Sequence, residues 1–173
     1  GQLADAEPYY HQALTLYQSI PNTQRDQANC LNNLATTLSK LDKLADAEPY
    51  YHQALTLYQT LPNTQRDQAN CLYNIATTLR DLGEQAEAEP YYHQALTLYQ
   101  DIPNTEEQQA NCLYILATTL DKLGQLADAE PYYHQALTLY QSIPNTQRDQ
   151  ANCLNNLATT LSKLDKLADA EPY

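Results

Sequence analysis

Tryptophan, phenylalanine and methionine are absent from these 173 residues, and only 3 glycines occur. Leucine and tyrosine must therefore supply the bulk of any core, and loops must be short and few. β-branched aliphatic residues are nearly missing while Ala, Leu and Gln abound, which argues against a β-rich chain and for an all-helical one. Charge is scarce and lopsided: 9 Lys and Arg against 21 Asp and Glu leave a net charge of −12. A uniformly acidic surface repels phosphate, so nucleic acid and anionic membranes are poor partners. No apolar run approaches the ~20 residues of a membrane span, and no stretch has the form of a signal peptide.

What is present repeats. The string EPYYHQALTLYQ stands at 7–18, 48–59, 89–100 and 130–141, and begins again at Glu171. His11, His52, His93 and His134 step by 41 residues, as do Cys30, Cys71, Cys112 and Cys153, and the prolines from Pro8 to Pro172. A fixed period of this size marks a solenoid. The chain holds four periods plus nine residues, and residues 1–50 equal residues 124–173 letter for letter, an offset of three periods.

Each period predicts two amphipathic helices. The first spans about Gln24 to Leu41, with Leu31, Leu34, Ala35 and Leu38 on one stripe. Pro21-Asn22-Thr23 precedes it, with Thr23 placed as N-cap and Asp26 at N3; Thr105 and Gln108 form the matching capping box one copy on. Gly83 and Gly124 close two of these helices, and Asp42 and Asp165 stand in the same place in the others. The second helix spans about Leu44 to Leu61, with Leu44, Ala47, Tyr51, Ala54, Leu55 and Tyr58 on one face and acids in its first turns. Pro49 lies a turn and a half inside it, which predicts a bend or a wide first turn at 45–48.

The histidines, acids and cysteines invite a metal or acid–base reading. Zinc needs ligands at about 2.0–2.1 Å, whereas equivalent helices lie ~8–10 Å apart or more, so one histidine per period serves no shared ion. His52 falls beside the apolar stripe and pairs with Glu48 four residues earlier. The cysteines fit small buried residues against the preceding helix, and unpaired thiols fit a reducing, cytoplasmic compartment. Tyr51 and Tyr58 are core by phase, with hydroxyls expected to reach the helix surface or a partner; Tyr50 packs between units. No Gly-rich phosphate loop, no HExxH and no nucleophile–base set occurs. No catalytic residue, metal or cofactor is therefore expected, and no enzymatic activity.

Leu31-x2-Leu34-Ala35-x2-Leu38, then Ala47-x3-Tyr51, then Pro62 resembles the tetratricopeptide pattern, which has W-x2-L-G-x2-Y, A-x3-F and P. The frame fits all four units, with Leu for Trp, Ala for Gly and Leu for Tyr. LNNLA and AEPYY resemble the longer subclass found in kinesin light chains and bacterial scaffold proteins. The resemblance implies a right-handed α-solenoid in which first helices line a concave groove that holds an extended peptide and second helices form the convex wall. The groove column then comprises Asn29, Asn70, Asn111 and Asn152; Asn32, Tyr73, Tyr114 and Asn155; Thr36, Thr77, Thr118 and Thr159; and Ser39, Arg80, Asp121 and Ser162. By the same resemblance Asn32 and Asn155 clamp a peptide backbone, while Tyr73 and Tyr114 replace that amide with aromatic platforms. Lys40, Arg80, Lys122 and Lys163 make this face less acidic than the rest, a strip suited to steering an acidic segment. The competing reading is a mixed, solvated face whose amides bond locally.

The expectation is thus one all-α solenoid over residues 1–173, beginning and ending within a second helix. Its expected role is a non-enzymatic protein-interaction scaffold with a peptide or protein segment in the groove, and no nucleic acid or membrane partner. The alternative is a structural or engineered array without a groove ligand. Leu3, Tyr10 and Ala13 at one end and Leu157 and Leu161 at the other predict head-to-tail self-association.

Overall fold

The structure, a computed structural model, describes residues 2–170, with side chains from residue 3 to residue 165. The fifth copy of the repeated string, at 171–173 with Pro172, lies outside the described residues. Eight helices and no strand occur among them: α1 (Gln2–Ser19), α2 (Gln24–Lys40), α3 (Leu44–Gln59), α4 (Gln65–Leu82), α5 (Gln85–Gln100), α6 (Glu106–Lys122), α7 (Leu126–Ser142) and α8 (Gln147–Ala170). First helices (α2, α4, α6, α8) alternate with second helices (α1, α3, α5, α7), two per 41-residue period, which is the α-solenoid class. The chain forms two compact units, Gly1–Leu98 and Tyr99–Tyr173.

In the first unit the predicted stripe is the core: Leu34, Ala35, Ile75 and Ala76 are fully buried, with Tyr51, Tyr58 and Tyr92 packed among them. In the second unit Leu116, Ala117 and Leu120 do the same beside Tyr133 and Tyr140. Each such leucine contributes about 1.5–3 kcal/mol by leaving water.

Two turns alternate. After α2, α4 and α6 the chain closes a Schellman motif: Lys43 N–H reaches Leu38 O at 3.0 Å, Glu84 reaches Leu79 at 2.9 Å and Gln125 reaches Leu120 at 2.9 Å. The left-handed residue is Gly83 (φ 91°), Gly124 (φ 79°) or Asp42 (φ 61°), as the sequence implies. Asp165 departs from that expectation. Residues 147–170 repeat 24–47 letter for letter, yet α8 runs through Asp165 to Ala170. A left-handed aspartate is locally unfavourable; at Asp42 the docking of α3 on α2 offsets it.

The turn entering each first helix also differs from expectation. Asn22, Asn63, Asn104 and Asn145 adopt φ of 63°, 56°, 58° and 65°. Thr23, Thr64 and Thr105 occupy the N-cap position but make no side-chain cap bond. Thr64 Oγ1 instead donates backward, to Tyr58 O at 2.6 Å and Leu61 O at 3.0 Å, and Thr105 and Thr146 repeat this. Gln68, not the N3 residue, completes the arrangement, its Nε2 donating to Thr64 Oγ1 at 3.0 Å. The threonine is a latch onto the preceding helix, which explains why it is buried.

Each second helix carries its proline inside an uninterrupted helical segment. Pro49 and Ala45 are exposed, so water can serve the Ala45 carbonyl that the missing N–H leaves free. No described helix is long and apolar enough to cross a membrane.

Candidate functional site

The repeated string that looked most like chemistry is surface and packing. Glu48–His52, Glu89–His93 and Glu130–His134 pair at 3.6, 3.7 and 3.8 Å, each i to i+4. Tyr50 sets its ring edge-on to His11 (5.9 Å between centroids), and Tyr91 does the same to His52 (5.7 Å), so these residues join successive second helices. Lys43 Nζ meets Glu7 Oε2 at 2.8 Å across the same seam. The cysteines are free and buried. Cys30 and Cys153 donate to the carbonyls of Tyr10 and Tyr133 on the preceding helix, at 3.3 and 3.1 Å. Burial pushes the Cys71 thiol up to about 12 and Cys153 to about 11. Among the described residues no group of three His, Cys, Asp or Glu is placed to hold a metal.

The first-helix face away from the core is where the units differ, and its side chains are exposed or half-buried. In unit one Asn29 is exposed, and its Oδ1 accepts from Tyr58 Oη at 2.6 Å. Asn32 is half-buried and accepts the Cys71 thiol at 3.4 Å. Thr36 donates to Asn32 O at 2.9 Å and accepts from Tyr51 Oη at 3.1 Å. Asn70 is exposed. Tyr73 stands half-buried, edge-on to Tyr92 at 5.8 Å, and Thr77 bonds the Tyr92 hydroxyl at 3.1 Å. Arg80 lies beside these rings, held by Asp81 at 2.9 and 2.7 Å. Burial works against its charge, but Tyr92, the Asp81 carboxylate and Tyr73 outweigh that and raise its pKa.

Unit two repeats the scheme with other residues. Asn111 Oδ1 accepts from Tyr140 Oη at 2.7 Å. Tyr114 is edge-on to Tyr133 at 6.1 Å, and its hydroxyl accepts from Asn156 Nδ2 at 2.9 Å. Thr118 and Thr159 donate within their own helices, to Ile115 O and Asn155 O. Asn152, Asn155, Thr159 and Lys122 are exposed.

Of the four cations Lys40, Arg80, Lys122 and Lys163, two are paired with carboxylates. Arg80 is neutralised by Asp81, and Lys163 by Asp121 at 2.5 Å, with Thr160 on the other Asp121 oxygen at 2.8 Å. Lys40 and Lys122 are exposed. The second-helix tyrosines Tyr51, Tyr58, Tyr92 and Tyr140 have core rings whose hydroxyls reach this face, as the reading of Tyr51 and Tyr58 implies; what sequence reasoning missed is their partners, Thr36, Asn29, Thr77 and Asn111. A signal existed: the chain has 15 tyrosines and no phenylalanine, and a phenylalanine fills a core equally well without needing a partner.

A family model described as tetratricopeptide repeat matches residues 1–60, 29–101, 67–142 and 108–173. No curated protein sequence matches the chain. Among solved structures the fold is similar to BtubC (BKLC) from P. vanneervenii, at 21% identity and a TM-score of 0.85, covering 99% of this chain and 70% of that one. It is similar to the nearly identical TPR-like repeats of a Podosopora anserina putative kinesin light chain, at 14% identity and a TM-score of 0.78, covering 99% and 83%. It is also similar to the Yersinia enterocolitica type III secretion translocator chaperone SycD, at 17% identity and a TM-score of 0.68, covering 82% and 88%.

Proposed function

The chain belongs to the tetratricopeptide repeat family, and from that premise we propose that it is a non-enzymatic scaffold whose first-helix face holds an extended peptide or protein segment. Its fold is one used for protein–protein interaction. The observation that carries the finer reading is where near-identical units diverge. Asn32, Tyr73, Tyr114 and Asn155 occupy one position of the period, and Ser39, Arg80, Asp121 and Ser162 another, all on the same helix face. The half-buried Tyr73 and Tyr114 rings, each braced by a second tyrosine, are anchors of the kind that dominate binding energy. Asn29, Asn70, Asn111 and Asn152 would supply amides to the peptide backbone. The net charge of −12 supports a protein ligand over nucleic acid. The free cysteines support a reducing compartment. The unbroken period supports reading 1–173 as one array.

The test is a selection of linear peptides on the immobilised protein, followed by amide chemical-shift mapping. Shifts confined to the first-helix positions, and a loss of about tenfold or more on Tyr73→Ala with Tyr114→Ala, are the expected result. Shifts mapping to the second helices overturn it.

A second reading has its own observation. Residues 147–163 of α8 equal α2, and residues 3–18 of α1 equal α3. Leu31 and Leu38 are 3% and 2% exposed, whereas their counterparts Leu154 and Leu161 are 51% and 38% exposed. A polypeptide of these 173 residues can therefore rebuild the α2–α3 junction between copies, α8 of one against α1 of the next. Light scattering across a concentration series should show growth; a constant monomer mass refutes it.

A further inference from the structure

We infer that the second-helix tyrosines set what the first-helix face can bind: they orient Asn29 and Asn111 as hydrogen-bond donors, which selects a ligand rich in acceptors, the carbonyl edge of an extended peptide. This rests on the peptide-binding reading above and adds to it the polarity of the site and the residues that fix it.

The argument is one of proton placement. Tyr58 Oη lies 2.6 Å from Asn29 Oδ1, and Tyr140 Oη lies 2.7 Å from Asn111 Oδ1. O–H···O bonds centre at about 2.7–2.8 Å and N–H···O bonds at about 2.9–3.0 Å, so the amide oxygen, not the nitrogen, faces each phenol. Each asparagine then turns its Nδ2, with two hydrogens, away from the tyrosine. Thr36 is more tightly determined. Its single hydroxyl proton goes to Asn32 O at 2.9 Å, so the Tyr51 hydroxyl at 3.1 Å must donate to it. Tyr51 and Tyr58 both therefore spend their protons on the first helix, each taking up one acceptor lone pair there.

The arrangement is built rather than incidental. The Tyr–Asn pair recurs at a separation of 29 residues in both units, and the Tyr–Thr pair at 15 residues recurs within unit one. The rings are almost wholly buried, while Asn29 is exposed and Asn111 half-exposed. Burial, reinforced at Tyr58 by the neighbouring Cys71 and Asp67, raises the phenol pKa values, so both stay protonated donors throughout the neutral range. A peptide lying along this face meets outward-turned N–H groups, which its carbonyls answer.

The probe is a linear peptide obtained from a phage-displayed random library on the wild-type protein, synthesised and titrated by fluorescence anisotropy. Tyr58→Phe and Tyr140→Phe each free an asparagine, and affinity should fall about three- to tenfold, the worth of one neutral hydrogen bond. Asn29→Asp keeps an acceptor for Tyr58, and so should keep the melting temperature, but removes the donor; affinity should fall at least as far. Tyr58→Phe and Asn29→Ala should be non-additive in a double-mutant cycle. Tyr9→Phe, on a ring 70% exposed, should change nothing. Wild-type affinity in Tyr58→Phe, or in Asn29→Asp, overturns the donor lock while leaving the peptide site standing. A selection that yields no binder to this face overturns both.

Discussion

Exchanging Asp42 for glycine and exchanging Asp165 for glycine should move stability in opposite directions, although both aspartates sit in the same sequence, LSKLDKLADAEPY. At Asp42 the backbone is left-handed, φ 61°. That conformation costs an L-residue about 1–2 kcal/mol, less for aspartate because its short side chain bonds locally. Glycine removes the strain but gains freedom in the unfolded chain, which returns roughly 0.5–1 kcal/mol. The equivalent Gly83 and Gly124 show that the turn accommodates glycine. A net gain of about 0.5 kcal/mol, or ~1–2 °C in Tm, is expected for Asp42→Gly. At Asp165 the residue is inside α8 and exposed. There glycine is worse than aspartate by about 0.3–0.5 kcal/mol, and the last turns of α8 should lose hydrogen-exchange protection. Urea titration reads the first effect, and amide exchange over 160–170 reads the second. Stabilisation by both substitutions would refute the claim that packing of the next helix, not local sequence, decides the turn.

Thr64→Val should cost about 1–3 kcal/mol, because the hydroxyl of a residue 1% exposed serves two carbonyls. Thr64→Asn, an excellent N-cap, should not rescue it in thermal melts; rescue would restore the capping interpretation. Leu116→Ala, at a fully buried position, should cost about 2–5 kcal/mol by urea titration. Burial raises the Cys71 thiol to about 12 from 9.0, so the unfolded chain ionises first. The stabilising contribution is therefore whole below pH 9 and is lost as pH rises toward 12. Denaturation on the alkaline side should shift upward in Cys71→Ala, and the native thiol should resist iodoacetamide at pH 8.

Helix number, phase and core were legible because they follow from period and amphipathicity alone: every stripe residue from Leu31 to Leu38 is buried where the 3.6-residue phase puts it. The Gly83 and Gly124 turns were legible for the same kind of reason, a local conformation only glycine takes cheaply. Three things were not. Thr23 and its counterparts read as caps because spacing shows only that a hydroxyl stands near free N–H groups; that the carbonyl of Tyr17 lies closer is a tertiary fact. The pairing of Arg80 with Asp81 and of Lys163 with Asp121 was not legible either, because nearness in sequence does not fix which charges meet. Which first-helix residues the tyrosine hydroxyls meet was the third, because core phase places the ring and says nothing of what lies at its far end. The site residues on the first helices were placed on one face by phase, while the hydrogen bonds that orient them come from another helix and leave no trace in spacing.

The α2–α3 junction has one further consequence, for folding. Helices α3 and α7 share the same sixteen residues, LADAEPYYHQALTLYQ. As far as those side chains go, α7 could take the place of α3 beside α2. What separates them is the tether: three residues, 41–43, lead to α3, and eighty-five, 41–125, lead to α7. Loop closure scaling as (3/2)RT ln n favours the near mate by about 3 kcal/mol, roughly a hundredfold or more. Fidelity in this protein is then kinetic and topological rather than chemical. Lengthening the 41–43 linker with flexible residues should erode it, and trapped, cross-paired forms should accumulate during refolding.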